Sequence, residues 1–423
     1  MYCHGVETTL GHMPFNAPRI RRRTCSKRYH PGVLMRILLV SAFDFSYPGG
    51  VNAHVAELDR QFQDFGHYTR ILAPRSDDEP ENDDGHLFKL GMALPIPSNG
   101  STARITLSPF FSNKVKTFLR RERFDIIHLH EPLAPTLPLM VLLHSHAINV
   151  GTFHAAGTTN LGYMTFKPIL ARFHAKLDVR ITPSPAAMDG AAHYFPGPYE
   201  IIPNGINLER FGPHIPPLAR YQDDRPTILF VGRFNESRKG LTYLLQALAL
   251  VRPAFPTCRL LVVGPGNSKP FERLIAQYGL DNVVFTGPVT RAELPAYYAS
   301  ADVFCAPSTG QESFGIVLLE AMASGKPVVA TNIQGYNGVM RNGVEGLLIE
   351  PKDPAALAMA LTQCLADADL RRRLGQAGQE RAEEFAWPVV ASRILATYEQ
   401  ALAGREWADR AGPTVQTTPT NRN

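Results

Sequence analysis

The chain runs to 423 residues, 44% of them hydrophobic and 19% charged, too long for one ordinary domain and well matched to two of roughly 170–200 residues each. Its formal net charge of +5 is local: before residue 35, Arg19, Arg21, Arg22, Arg23, Lys27 and Arg28 face only Glu7, and the rest of the chain is charge-balanced. That leaves no basic folded face of the kind nucleic acids need.

Residues 1–34 are expected to be a disordered basic leader, with the fold starting at Met35, where RILLVSAF begins a first core strand, 35–41. The turn PGGVNAH follows, and Gly49 and Gly50 open a helix patterned on Val51, Val55, Leu58 and Phe62. Glycines there let backbone approach a ligand, and a helix N-terminus offers unpaired N–H groups to a phosphate; an ordinary tight turn reads the same way. Further strands are expected at 70–73, 125–130, 148–153, 179–182 and 199–202, with an exposed loop at 77–84.

In PFFSNKVKTFLRRERF, 109–124, Phe111, Val115, Phe118 and Leu119 recur at helical spacing among Lys114, Lys116, Arg120 and Arg121. Such a helix either packs its stripe on the sheet or lies on anionic lipid. His128, His130, His144 and His146 have a metal-like composition, but no carboxylate stands at ligand spacing, so no metal site is expected. His154 closes GTFH at the end of an inner strand, where it is expected to face a ligand; taken alone, such a histidine is more often structural.

The Pro- and Gly-bearing stretch 211–226 reads as a linker. Beyond it, strands are expected at 227–232, 259–264, 282–286, 302–306, 327–330 and 346–349. In TILFVGRFNESRKG, 227–240, Arg233 and Lys239 project from the turn after a buried strand, suited to neutralising a diphosphate leaving group unless they are merely solvated. Gly264 and Gly266 begin a dinucleotide fingerprint that fails at Lys269.

The strongest motif is GQESFGIVLLEAMASGKPVVAT, 310–331. Glu312 and Glu320 are just over two helical turns apart and can face one ligand. Ser313, Phe314, Gly315 and Ile316 are expected to form a first turn that presents N–H groups to phosphates, with Glu320 placed to accept from ribose hydroxyls. Asp367 and Asp369 have a D-x-D form but fall in a predicted surface helix.

Continuous apolar strands alternating with helices in two sets predict an α/β protein of two doubly wound, Rossmann-like domains, with ligands in the cleft beyond the strands' carboxyl ends. The five scattered cysteines lack a C-x-x-C, which fits reduced thiols and a cytoplasmic location. The leader has no apolar core of about 7–15 residues as in a secretory signal, and no run of about 18 apolar residues predicts a membrane span.

From Met35 to about Ala403 these motifs resemble the retaining family-4 glycosyltransferases of GT-B fold, most closely the phosphatidylinositol alpha-mannosyltransferases of actinobacteria. PGGVNAHV, LPIPSNGSTAR, DIIHLHEPLAPTLP, GTFH, IIPNGIN, VGRFNESRKG, GQESFGIVLLEAMASGKPVVAT and GLLIEPKD carry the likeness. The resemblance implies an acceptor-side domain at 35–205, a nucleotide-sugar domain at 206–386, a helix at 387–403 crossing back to the first domain, and a polar tail at 404–423. It implies GDP-mannose as donor, held by Gly50, Arg233, Lys239, Glu312, Ser313, Phe314, Gly315, Ile316 and Glu320, with His154 near the transferred sugar. His154, Arg233, Lys239 and Glu312 would be catalytic. No protein-bound cofactor is implied, and any magnesium would accompany the nucleotide.

On the acceptor side, Asn99, Ser101 and Arg104 match positions for an inositol phosphate headgroup, and Asn52 is expected to bind the acceptor with them. Phe43 replaces a tyrosine, Asn52 a glutamine and Ala155 a threonine, and a lysine expected after GTFH is missing. The partners implied are a nucleotide sugar, a phospholipid acceptor and an anionic inner membrane face, contacted through Lys114, Lys116, Arg120 and Arg121. The alternatives are a UDP-glucose or UDP-N-acetylglucosamine donor with another lipid or soluble acceptor, and, from a different class, a sugar-nucleotide epimerase or a non-catalytic binding relative.

Overall fold

The computed structural model describes residues 34–411 except Pro48, 77–81, 99–100 and 158–160, and gives backbone alone at 97–98, 101–103 and 406–411. The expected leader up to residue 33, most of the loop at 77–84, the tail beyond 411 and Asn99 lie outside the described residues.

The first sheet is built from β1 (Arg36–Ser41), β2 (Tyr68–Arg75), β3 (Asn82–Asp83), β4 (Leu87–Ser98), β5 (Ser101–Thr106), β6 (Ile126–His130), β7 (Ile148–Thr152), β8 (Val179–Thr182) and β9 (Glu200–Ile201). Its order is β3-β4-β2-β1-β6-β7-β8-β9, with β5 paired to β4. The second holds β10 (Thr227–Val231), β11 (Arg259–Val263), β12 (Val283–Gly287), β13 (Val303–Ala306), β14 (Val328–Thr331) and β15 (Gly346–Ile349), in the order β12-β11-β10-β13-β14-β15. Every pairing in this second sheet is parallel.

Alternation along the strands explains why both sheets read as continuous apolar runs. Ile37 and Leu39 enter one core with Val55, Leu58 and Phe62, while Leu38 and Val40 enter another with Val115, Phe118 and Leu129. In the second domain Leu229, Leu261 and Phe304 face one layer and Ile228, Phe230 and Leu260 the other. Successive strand residues point to opposite faces, so a sheet covered on both sides needs apolar residues at every position.

One part of the fold departs from the sequence reading. Residues 87–106, not expected to be strand, form a hairpin in which Leu94 pairs with Ile105 and Pro95 with Arg104. Pro95 and Pro97 obscure it, because proline cannot donate to a ladder and is tolerated only at an edge or a bulge.

The chain returns to its first domain at the end. Ile206 N–H donates to Phe385 O at 2.8 Å, and Trp387 N–H to Ile206 O at 3.2 Å. The helix Trp387–Ala411 then buries Trp387, Val390, Ile394, Leu395 and Tyr398 in the core that holds Val55, Leu58 and Phe62. This is the crossing helix expected at 387–403, extended to Ala411.

The helix Ser112–Glu122 settles the two readings of its apolar stripe. Phe111, Val115, Phe118 and Leu119 are buried against the first sheet, so that stripe cannot lie on lipid. Arg121 pairs with Asp83 at 2.8 Å and Glu122 at 3.0 Å. The membrane role expected of the apolar stripe is thereby corrected, while the Arg121 side chain stays largely exposed.

Candidate active site

The loops after β10 and β13 form one side of the site. A single helical turn, Ser237–Lys239, closes the first loop: Arg233 O accepts from Glu236 N at 3.1 Å and Glu236 O from Lys239 N at 2.8 Å. Thr309 N–H donates to Arg238 O at 2.7 Å, joining the loops. Between them Gly240 sits at φ 75°, where an added Cβ would lie 1.9 Å from Pro307 O. Only glycine accommodates both that backbone and that approach.

The result is a charge cluster. Lys239 Nζ and Arg238 Nη1 each stand 2.7 Å from Glu312 Oε1, and Ser308 Oγ donates to the same oxygen at 3.2 Å. Ser308 Oγ also meets Tyr336 OH at 2.9 Å. Arg238 pairs with Glu236 at 2.5 Å as well. Arg238 and Lys239 are thus balanced by Glu312 and Glu236, and the cluster holds both cations at a strand's carboxyl end, where a diphosphate would compete with the carboxylates for them. Arg233 heads the same turn. Arg238 was not singled out in the sequence, where it reads as one more loop cation.

The helix after Glu312 starts later than expected. It spans Ile316–Ala323, with Gly315 as its N-cap at φ 90° and no side-chain cap. Ser313 and Phe314 therefore precede the helix instead of forming its first turn. The Phe314 ring is buried against Phe385 at 6.0 Å, so its side chain belongs to the core and does not face a ligand. Ser313 O accepts from Ser184 Oγ of the first domain, and Gln334 Nε2 donates to Asp189 Oδ2 at 2.7 Å; both contacts tie the domains together beside this loop.

Glu320 is half-buried and accepts from Tyr298 OH at 2.7 Å. Burial pushes its carboxyl up to about 7, against the Tyr298 hydrogen bond and the nearby Arg210 and Arg291 charges. It is a poised acceptor rather than a solvated helix glutamate.

On the first domain, the helix Gly50–Asp64 begins without a side-chain cap, and a Cβ built on Gly49 or Gly50 would meet nothing within 4 Å. The glycine Cα positions at this helix start are therefore open to an approaching ligand. His154, half-buried, has its Nε2 3.0 Å from His130 Nδ1. Burial lowers its imidazole to about 4. Its backbone N–H, with that of Ala155, donates to Glu131 Oε1 at 2.9 and 3.1 Å. Glu131, at φ 58° and pushed by burial to about 7, positions the GTFH turn; it lies inside HLHEPLAP without having been assigned a role.

The acceptor-side residues divide. The Asn52 amide is consumed internally: Oδ1 accepts from Ser41 Oγ at 2.7 Å, and Nδ2 donates to Asp44 O at 2.7 Å and Tyr47 O at 3.1 Å. Buried and fully partnered, it staples the loop after β1 and does not face a headgroup, contrary to expectation. The Arg104 guanidinium stacks 3.8 Å over the Tyr47 ring. Ser101 lies on β5, where only its backbone is described.

Twin Rossmann-like sheets with a cation–carboxylate cluster at one strand edge and an open helix start on the facing domain define a glycosyltransferase of GT-B architecture. The profile described as "Glycosyltransferase Family 4" matches residues 48–210, and that described as "Glycosyl transferases group 1" matches 218–381. A phosphatidyl-myo-inositol mannosyltransferase from Mycobacterium leprae is 40% identical over 369 residues, 86% of this chain and 96% of the relative. One from Propionibacterium freudenreichii is 35% identical, covering 89% and 98%. Among solved structures, a sucrose-phosphate synthase from Thermosynechococcus elongatus aligns with TM-score 0.68 at 25% identity, covering 88% of this chain and 100% of that one. HepE from Anabaena in complex with UDP and glucose aligns at 0.67 and 20% identity, covering 86% and 100%. The chain belongs to the phosphatidyl-myo-inositol mannosyltransferase family, within the family-4 glycosyltransferases.

Proposed function

We propose that this enzyme moves mannose from GDP-mannose onto the inositol headgroup of a phosphatidylinositol-type lipid, with retention of anomeric configuration. The observation that carries the reading is the convergence of Lys239 and Arg238 on Glu312 beside the Gly315 cap. A diphosphate entering there meets cations at the oxygens that gain charge as the bond from sugar C1 to phosphate oxygen breaks. The acceptor hydroxyl attacks C1 from the face the phosphate leaves, and its proton passes to the departing phosphate. Glu320 accepts from the ribose, and His154 borders the transferred sugar. The relatives' names supply the sugar and the acceptor.

The lipid surface is assigned to the helical side of the first domain. Leu161, Met164, Phe166 and Ile169 are exposed on the helix Leu161–His174, which carries Lys167 and Arg172 and no acidic residue. Lys114, Lys116 and Arg120 lie on the helix Ser112–Glu122, in the same helical layer. No helix among the described residues is long and apolar enough to cross a membrane. Replacing Met164 and Phe166 with Ser should weaken sedimentation with phosphatidylserine vesicles, and unchanged sedimentation would reject this face.

A donor panel tests the reaction itself. Labelled mannose from GDP-mannose should enter phosphatidylinositol; incorporation only from UDP-glucose or UDP-N-acetylglucosamine would overturn the donor. The internal use of Asn52 favours one alternative, an acceptor other than the relatives' lipid, which the same assay reads with soluble inositol phosphate in place of the lipid.

A further inference from the structure

A second group of chemistry-bearing side chains lies in the first domain. His54 comes from the helix Gly50–Asp64, His130 ends β6 and His154 follows β7; one ring nitrogen from each lies within 4.8 Å of the other two. His130 Nδ1 and His154 Nε2 are 3.0 Å apart. The His54 ring centroid is 5.2 Å from that of His130 and 5.0 Å from that of His154. His54 and His130 are 6% and 0% exposed. Neither nitrogen of His54 nor Nε2 of His130 makes a hydrogen bond of good geometry, Asn204 being the polar side chain beside His54.

Buried imidazole nitrogens are ordinarily satisfied. Neighbouring His128 shows the usual solution, with Nδ1 2.6 Å from Tyr398 OH and Nε2 2.6 Å from Thr152 Oγ1. Here three ring nitrogens converge, with His130 Nδ1 and His154 Nε2 bonded only to each other and the buried His54 ring lacking a partner of good geometry, an arrangement that a ligand shared by the three rings would satisfy. We propose that His54, His130 and His154 form a site for a divalent transition metal of the zinc, cobalt or nickel class. Imidazoles without carboxylates select these ions over magnesium or calcium. Three protein ligands leave a fourth position for water.

Metal–nitrogen bonds of about 2.0–2.1 Å in tetrahedral geometry put ligand nitrogens roughly 3.4 Å apart. The His130–His154 pair is already near that separation, and the His54 nitrogen, within 4.8 Å of both, has to move closer to complete the set. The proton that joins His130 Nδ1 to His154 Nε2 moves to the far nitrogen of its own ring, so the neutral ligands bind the ion without net proton release. The set differs from the one the sequence brought to mind: His144 and His146 are not part of it, and His54 is 76 residues from His130. Given the reading of His154 as a border of the sugar pocket, an ion held there excludes the donor sugar. The site is inhibitory and not a catalytic cofactor site.

The test uses the full chain, stripped of metal by dialysis against a chelator and titrated with cobalt chloride. The visible absorption of tetrahedral cobalt should rise to one ion per chain and be displaced by zinc. His54→Gln, with far-UV circular dichroism and GDP binding as checks on folding, should weaken cobalt binding roughly 10–100-fold. Absence of the band, or a band unchanged in His54→Gln, overturns the site. X-ray absorption of the wild-type zinc complex decides independently of any variant: three imidazoles support the site and fewer overturn it. One equivalent of zinc should suppress sugar transfer reversibly in the wild type, and full transfer by the zinc-loaded enzyme overturns the inhibitory role. The cobalt titration does not depend on donor or acceptor, so it stands apart from the mannosyl-transfer reading.

Discussion

Gly240→Ala tests how the donor cluster is built. The added methyl would stand 1.9 Å from Pro307 O and 2.8 Å from Pro307 C, where real Cβ contacts essentially never fall below 3.0 Å. One loop must therefore retreat by more than about 1 Å, at an overpacking cost of about 1–3 kcal/mol. The φ of 75° adds about 1–2 kcal/mol for a residue with a Cβ in the left-handed region. Together these predict a loss of about 2–5 kcal/mol, read as a lower urea midpoint with unchanged slope. The same retreat pulls Arg238 O from Thr309 N and shifts Lys239 against Glu312. A misplacement of about 1 Å typically costs about 100-fold in turnover. A variant that keeps its midpoint and has kcat within about threefold of wild type would refute the claim that this contact sets the geometry of the site.

Two further predictions concern buried polar groups. Burial holds His54 and His130 well below 6.5, His128 at about 3 and His154 at about 4, while it pushes Glu131 and Glu320 up to about 7. Below about 6.5 the unfolded chain takes up imidazole protons that the folded chain refuses, so stability falls with pH by about 1.4 kcal/mol per unit for each histidine. The carboxyls act oppositely as pH falls from 7 towards 4.5, since the folded chain protonates first. With His174, which burial also lowers to about 4, five histidines against two carboxyls leave a net loss of roughly 4 kcal/mol per unit between about pH 6.5 and 5; a urea midpoint that rises from pH 7 to pH 5 contradicts this. Tyr398→Phe removes the hydroxyl 2.6 Å from His128 Nδ1 and leaves a buried nitrogen unpaired, which predicts a loss of about 1–3 kcal/mol and a lower melting temperature; an unchanged melt would mean that this bond does not hold the crossing helix.

Both sheets were legible because their strands are buried on both faces, so runs such as TILFV and RLLVV stand out without any partner in view. The hairpin at 87–106 was not legible, since Pro95 and Pro97 look like breakers until the edge position of the strand is known. The donor loop was legible in its glutamates. Its cations were only partly so: Lys239 and Arg238 both reach Glu312 across more than 70 residues of sequence, and adjacency in the chain does not say which of them turns inward. Asn52 was misassigned because a short amide in a turn satisfies backbone as readily as a ligand. The cluster of His54, His130 and His154 was invisible because it draws on three separate elements that only the parallel β1–β6–β7 order brings together.

The central claim is that cations beside Glu312 stabilise the departing diphosphate, and the kinetics of Lys239→Met at saturating GDP-mannose test it most directly. The account predicts that kcat for mannose transfer falls about 100–1,000-fold, as when one donor to a developing anion is removed, with GDP still bound. A kcat equal to wild type, with only KM raised, would show that Lys239 merely helps to hold the donor and would contradict the account.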